Sequence, residues 1–174
     1  LFNFAVFPFY WAAYETKPGK KQKKQIMEVA KWCNKNGITT KGHPLVWTHE
    51  AGTPKWLTDF STAESKMLLE KRVKKIVDEF KGEIDVWDVI NEPTEGLKYA
   101  KERSATALLG ALQKYGTIPV VKHSFRIARN ANLSSTLILN DFNTSKQFES
   151  LIQNAINAKT DFDVIGIQSH MHMG

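Results

Sequence analysis

Cysteine is almost absent from this chain: Cys33 is the only one in 174 residues, so an intrachain disulfide is excluded. It shares a helical stripe with Ile26, Val29 and Ala30, which makes a buried structural thiol the expected role. Long hydrophobic runs are missing as well. None approaches the roughly 18–20 residues of a membrane helix, so no membrane partner is expected. No Gly-x-Gly-x-x-Gly or other phosphate-cradling loop follows any apolar run, which removes the usual signature of a nucleotide-binding sheet. Repeats, low-complexity tracts and Pro/Gly/Ser-rich linkers are absent too, so one domain over residues 1–174 is expected. The opening stretch Leu1-Phe2-Asn3-Phe4-Ala5-Val6-Phe7 lacks the basic start and cleavage site of a signal peptide. It reads as a strand already under way.

What the chain has in excess is lysine. The net charge is +6, and Lys17, Lys20, Lys21, Lys23 and Lys24 cluster, followed by Lys71, Lys74 and Lys75. These lysines flank apolar helix positions or face away from them, and no interleaved aromatics or nucleic-acid motif accompanies them. A solvated face is therefore expected, with no nucleic-acid partner. Hydrophobic content of 42% and charged content of 24% are ordinary for a globular protein.

Along the chain a strand-like run is repeatedly followed by a helical pattern. The strand-like runs lie near 3–7, 38–47, 84–90, 136–141 and 163–169. Helical periodicity covers 20–36, 62–81, 104–115, 119–131 and 146–158. Ser61-x-x-Glu64 is a capping box, and Gly37 and Gly82 suit left-handed C-caps. Pro119 suits a first helical turn. Such alternation means a parallel sheet covered by helices. Between an open doubly wound sheet and a (β/α)8 barrel, the missing phosphate loop favours the barrel. A barrel takes about 250 residues, so five strand-helix units make an incomplete one.

In a barrel the C-terminal strand ends converge on one rim, where the chemistry sits. Here those ends read Lys41-Gly42-His43-Pro44-Leu45-Val46-Trp47, then Trp87-Asp88-Val89-Ile90-Asn91-Glu92-Pro93, then Asn140-Asp141-Phe142-Asn143, then Gly166-Ile167-Gln168-Ser169-His170-Met171-His172. Pro93 cannot donate to a ladder and closes its strand, which fixes Asn91 and Glu92 at the rim. Indole and phenyl faces stack on apolar CH faces, while amides and carboxylates hydrogen-bond hydroxyls. Sugar rings present both surfaces, and the reaction that suits such a rim is glycoside hydrolysis by a carboxyl pair. Trp87 is expected to pack against helices and Trp32 to be partly buried. Asn140 and Asp141 are expected to tie down their loop, and Asn143 to cap the helix near Ser145.

These four segments, in this order, resemble glycoside hydrolase family 10, the endo-β-1,4-xylanases and their relatives. The resemblance implies a (β/α)8 TIM barrel of which this chain holds the second to sixth strands, without the first strand and the last two strand-helix units. It implies a retaining endo-β-1,4-glycanase acting on xylan-type cell-wall polysaccharide, secreted or at the cell surface, with no cofactor. Glu92 would be the general acid/base, and Asn91 would bind the 2-hydroxyl of the sugar being cleaved. His43 and Trp47 would wall that subsite, and Gln168 and His170 would orient the nucleophile. That nucleophile, a glutamate in a Thr-Glu-Leu/Ile-Asp motif, is not in this chain and would come from the remainder of the barrel. Neither Glu83, Asp85, Asp88 nor Glu95 is placed to replace it.

Three departures from the family pattern stand out. An ungapped match sets Pro8, Phe9 and Ala12 where Glu, Asn and Lys are usual. Phe9, Tyr10 and Trp11 then read as aromatic surface, either a sugar platform or an interface. Thr48 intervenes before His49, and Phe142 stands where Tyr is common. The lost polar set keeps a non-catalytic sugar-binding barrel open as an alternative. A family 5-like cellulase or mannanase and a metal-dependent hydrolase using His43, Glu92, His170 and His172 are the others.

Overall fold

The structure, a computed structural model, describes residues 2–96 and 107–169. In chain order, the strand β1 (Phe4–Pro8) leads into a one-turn helix α1 (Trp11–Tyr14), and a small antiparallel pair follows, β2 (Glu15–Lys17) with β3 (Lys20–Lys21). Helix α2 (Lys23–Lys35), strand β4 (Thr39–His43) and the short strand β5 (Val46–Trp47) come next. Two 3-10 turns (Glu50–Gly52 and Lys55–Asp59) precede helix α3 (Thr62–Glu79) and strand β6 (Val86–Asn91). Helix α4 (Ala107–Tyr115), helix α5 (Thr117–Ala131), strand β7 (Thr136–Asp141), helix α6 (Lys146–Asn157) and strand β8 (Val164–Ile167) complete the described residues.

Strands β1, β4, β6, β7 and β8 lie side by side in the order they occur, every pair parallel, with β5 joining β6 beyond the end of β4. Sequential parallel order with a helix in each long crossover is the arrangement of a (β/α) barrel wall. On the helix side, Val73 and Ile76 of α3, Val121 and Phe125 of α5, and Phe148 and Leu151 of α6 meet Phe7, Trp87 and Leu137 in one core.

Local signals in the sequence explain most boundaries. Ser61 Oγ accepts from Glu64 N while the Glu64 carboxylate accepts from Ser61 N, closing the capping box that starts α3. Gly37 and Gly82 end α2 and the turn after α3 at φ of +69° and +82°, where a side chain would be strained. Pro119 sits in the first turn of α5, which begins at Thr117.

Elsewhere the structure corrects the expectation. The helix expected from residue 20 starts at Lys23, because Lys20 and Lys21 pair with β2. The run 38–47 is two strands, broken where Pro44 has no N–H to donate. Cys33 is buried, but its expected stripe partner Val29 is 47% exposed, and Trp32 is 59% exposed rather than partly buried. Phe9 and Trp11 are core residues, 0% and 3% exposed, so the expected three-residue aromatic surface reduces to Tyr10.

Candidate active site

The parallel register aligns the strand ends. Trp47 stands opposite Asn91, Asn91 opposite Asn140, and Asn140 opposite Gly166. This row exists because β6 carries a one-residue irregularity against β7: Asp88 faces Ile138, and Ile90, not Val89, faces Leu139. A bulge re-aims the side chains beyond it, here the pair Asn91-Glu92.

Glu92 leaves the strand at a φ of +52°. For a residue with a β-carbon the left-handed region costs about 1–2 kcal/mol, and an outlier of that kind at a strand end points to function. The turn is held by Glu92 N donating to Asn140 O at 2.9 Å and by Glu95 N donating to Glu92 O at 3.1 Å. It brings the carboxyl group between two strand ends. Trp47 Nε1 donates to Glu92 Oε2 at 3.0 Å, and Gln168 Nε2 donates to Glu92 Oε1 at 3.2 Å.

Asn91 is clamped alongside. Its Oδ1 accepts from Asn140 Nδ2 at 2.6 Å and from Gln168 Nε2 at 2.8 Å. With its oxygen engaged twice, the amide is oriented so that its NH2 group is the donor end. Gly166 makes this possible. A β-carbon there would fall 2.7 Å from Asn140 Oδ1, so only glycine lets the Asn140 amide lie across the neighbouring strand.

The other wall is aromatic and ionic. His43 Nδ1 lies 2.7 Å from Asp88 Oδ2, and Lys41 Nζ lies 2.8 Å from the same oxygen. Asp88 is fully buried, and a buried carboxylate is tolerable only when paired. An Nδ1–H donated to Asp88 leaves His43 Nε2 for the rim. Trp47 stacks on His49 with ring centroids 4.4 Å apart and an interplanar angle of 16°. Tyr10 meets His43 edge-on at 5.5 Å and Trp47 at 5.8 Å. Burial raises the pKa of its phenol, and the carboxylates of Glu92 and Asp88 add to the rise.

The residues read from the sequence thus converge: Glu92, Asn91, His43, Trp47 and Gln168 form one cluster. His170 and His172 lie outside the described residues. The structure adds two further members. Asn140, expected to tie down its loop, also holds Asn91; Asp141 does tie the loop, its Oδ2 accepting from Thr94 N at 3.1 Å and Oγ1 at 2.7 Å. Asp88, inside its strand and not placed to replace the nucleophile, anchors His43. The signal was available: a carboxylate amid Val, Trp and Ile must find a cation, and Lys41 and His43 share one face of the adjacent strand. Asn143 is no cap. Ser145 caps α6, its Oγ accepting from Gln147 N at 3.2 Å.

The arrangement provides one immobilised carboxyl group beside an oriented amide and an aromatic wall, which suits proton transfer to a glycosidic oxygen. Among the described residues, no group of three or more His, Cys, Asp or Glu side chains could hold a metal ion. Residues 9–174 match the family described as Glycosyl hydrolase family 10. The chain belongs to that family. It is 26% identical over 172 residues to endo-1,4-beta-xylanase 3 of Hypocrea jecorina (strain QM6a), a match covering 94% of this chain and 47% of that protein. Endo-1,4-beta-xylanase A of Cellvibrio japonicus (strain Ueda107) is 28% identical over 153 residues, with 80% of this chain and 24% of that protein covered. The crystal structure of xylanase 10B from Thermotoga petrophila RKU-1 in complex with xylobiose superposes with a TM-score of 0.78 at 23% identity, covering 97% of this chain and 52% of that one. The fold is therefore a partial family 10 barrel, and the chain spans about half the length of the first relatives it matches.

Proposed function

We propose that residues 1–174 form part of one domain, the catalytic barrel of a retaining endo-β-1,4-glycanase that cleaves xylan-type polysaccharide, with Glu92 as general acid/base. The observation that carries this reading is the Glu92 carboxyl group, turned out of β6 at positive φ and gripped from two other strand ends by Trp47 and Gln168. In the first step Glu92 gives its proton to the leaving glycosidic oxygen, and in the second it takes a proton from the attacking water. Asn91 presents its NH2 group to the 2-hydroxyl of the sugar being cleaved. Trp47 and His43 bound the same sugar; Gln168 links Asn91 and Glu92, and Gln168 and His170 orient the nucleophile.

Retaining hydrolysis needs a second carboxyl group about 5–5.5 Å from the first. Other described carboxylates already have partners: Asp88 with Lys41 and His43, Asp141 with Thr94 and Asn143, Asp85 with Asn132, and Glu95 with Asn143. The nucleophile is accordingly assigned to the part of the family barrel that this chain does not span. Because xylan is a wall polymer, the working location is outside the cell or at its surface. No cofactor enters the chemistry, and neither nucleic acid nor membrane is a partner.

The test is reducing-sugar release from xylan by the intact protein and its Glu92→Gln variant. Removing a general acid costs about 100- to 10,000-fold in rate, so the variant should fall at least ~100-fold on unactivated substrate. Equal release by the two proteins overturns the assignment.

A further inference from the structure

Of the two residues between β1 and α1, Tyr10 stands at the rim and is left unused by the acid/base chemistry above. Tyr10 is pinned by its neighbours, for Phe9 and Trp11 on either side are both buried. Phe9 N donates to His43 O at 2.6 Å, and Tyr10 O accepts from Ala13 N at 3.0 Å and Tyr14 N at 2.7 Å. Arg72 of α3, fully buried, donates to Phe9 O and to Leu45 O and lies 5.1 Å from the Trp11 ring centre. One buried guanidinium therefore fixes both the turn that carries Tyr10 and the segment that carries Trp47.

Within this rigid turn the Tyr10 side chain alone, among the three consecutive aromatics, remains half-buried. It stands at the rim with its ring 80° to His43 and 52° to Trp47. Among the described residues nothing hydrogen-bonds its hydroxyl. Glu92 and Asp88 both act electrostatically on the phenol, so Tyr10 shares the field of the acid/base. A phenol raised above its usual pKa stays neutral and keeps its proton to donate. An amphipathic ring at an apolar-aqueous boundary, with its polar tip unused, is built to meet a ligand that has both kinds of surface.

We propose that Tyr10 contacts the substrate and sets its specificity: Tyr10 and Trp47 form an aromatic angle that receives one sugar ring, and the Tyr10 hydroxyl bonds a hydroxyl of that sugar. The inference rests on the glycanase reading above. Phenylalanine would fill the same space against His43 and Trp47, so packing alone gives the hydroxyl nothing to do.

The experiment compares the intact wild-type protein with Tyr10→Phe and Tyr10→Ala on xylopentaose and cellopentaose, reading kcat, KM and thermal midpoint. Tyr10→Phe should keep the wild-type midpoint and kcat while KM rises about two- to tenfold, the span of one neutral hydrogen bond. Tyr10→Ala should raise KM further and change the ratio of kcat/KM between the two oligosaccharides. Wild-type KM and an unchanged ratio in both variants would overturn the role of Tyr10 and leave the Glu92 reading standing. If the wild type cleaves neither substrate, the Glu92 reading fails, and xylopentaose affinity by titration calorimetry judges Tyr10 separately. Weaker binding by Tyr10→Phe then supports it; equal binding, or none by the wild type, overturns it.

Discussion

Strands β6 and β7 bury every residue after their first, whereas β1 and β8, at the two ends of the same sheet, leave most of theirs exposed. The compositions are not the cause. Phe4 and Val6 on β1, 49% and 54% exposed, and Val164, Ile165 and Ile167 on β8, 40% to 57% exposed, are as apolar as anything at the centre. Position in the sheet makes the difference: a central strand has a neighbour on both sides, an outer strand on one. The centre is also where polar side chains can be held rigidly, because each rim residue there is reached from adjacent strands. Asn91 is contacted from β7 and from the residue after β8, and Glu92 from β5 and from that same residue. The edges carry apolar surface awaiting cover, the kind of surface that drives association.

The contrast can be broken most forcefully at the centre. Trp87 is fully buried among Phe9 and Phe80, 5.0 Å and 6.4 Å away ring to ring. Trp87→Ala should cost about 3–5 kcal/mol of unfolding free energy in a denaturant titration. Gly42 lies under the same indole, where any β-carbon would meet the ring. Gly42→Ala should cost about 1–3 kcal/mol by overpacking. Next comes the buried charge. Asp88→Ala leaves Lys41 and His43 without their shared carboxylate; with both partly exposed, a loss up to about 3 kcal/mol is expected, together with a raised KM from a misoriented His43. Asn140→Ala removes one hydrogen bond to Asn91 and should cost about 1 kcal/mol, with a clear drop in kcat if Asn91 loses its orientation. The smallest effect belongs to the edge. Phe4→Lys in the 174-residue chain alone should change stability by no more than about 0.5 kcal/mol and reduce its aggregation, measured by light scattering. In the intact protein the same substitution should be strongly destabilising, and equal tolerance in both would mean that nothing covers β1.

Much of this was readable in advance where a local rule acts. The capping box at Ser61, the glycine stops at Gly37 and Gly82, and the strand stop at Pro93 follow from backbone geometry alone. Strand ends of a parallel barrel share a rim, and the family resemblance singled out Glu92, Asn91, His43, Trp47 and Gln168 among the residues there. What escaped was set by contacts between distant segments. Lys20 and Lys21 look helical by periodicity but pair with β2. Phe9 and Trp11 look like surface beside Tyr10 until a buried Arg72 draws the turn inward.

The order of residues alone determined which segments are strands and helices and which side chains reach the rim, because periodicity, capping and proline act over a few positions. It also determined the family, through four motifs in sequence. Only the assembled sheet decided that Asp88 serves His43, that Asn140 holds Asn91, and that Tyr10 alone of its aromatic trio stays half-buried beside His43 and Trp47. Those outcomes depend on strand register, on one irregularity in β6 and on a guanidinium from another helix. Burial and pairing between residues dozens of positions apart are properties of the packed chain, and no local window contains them.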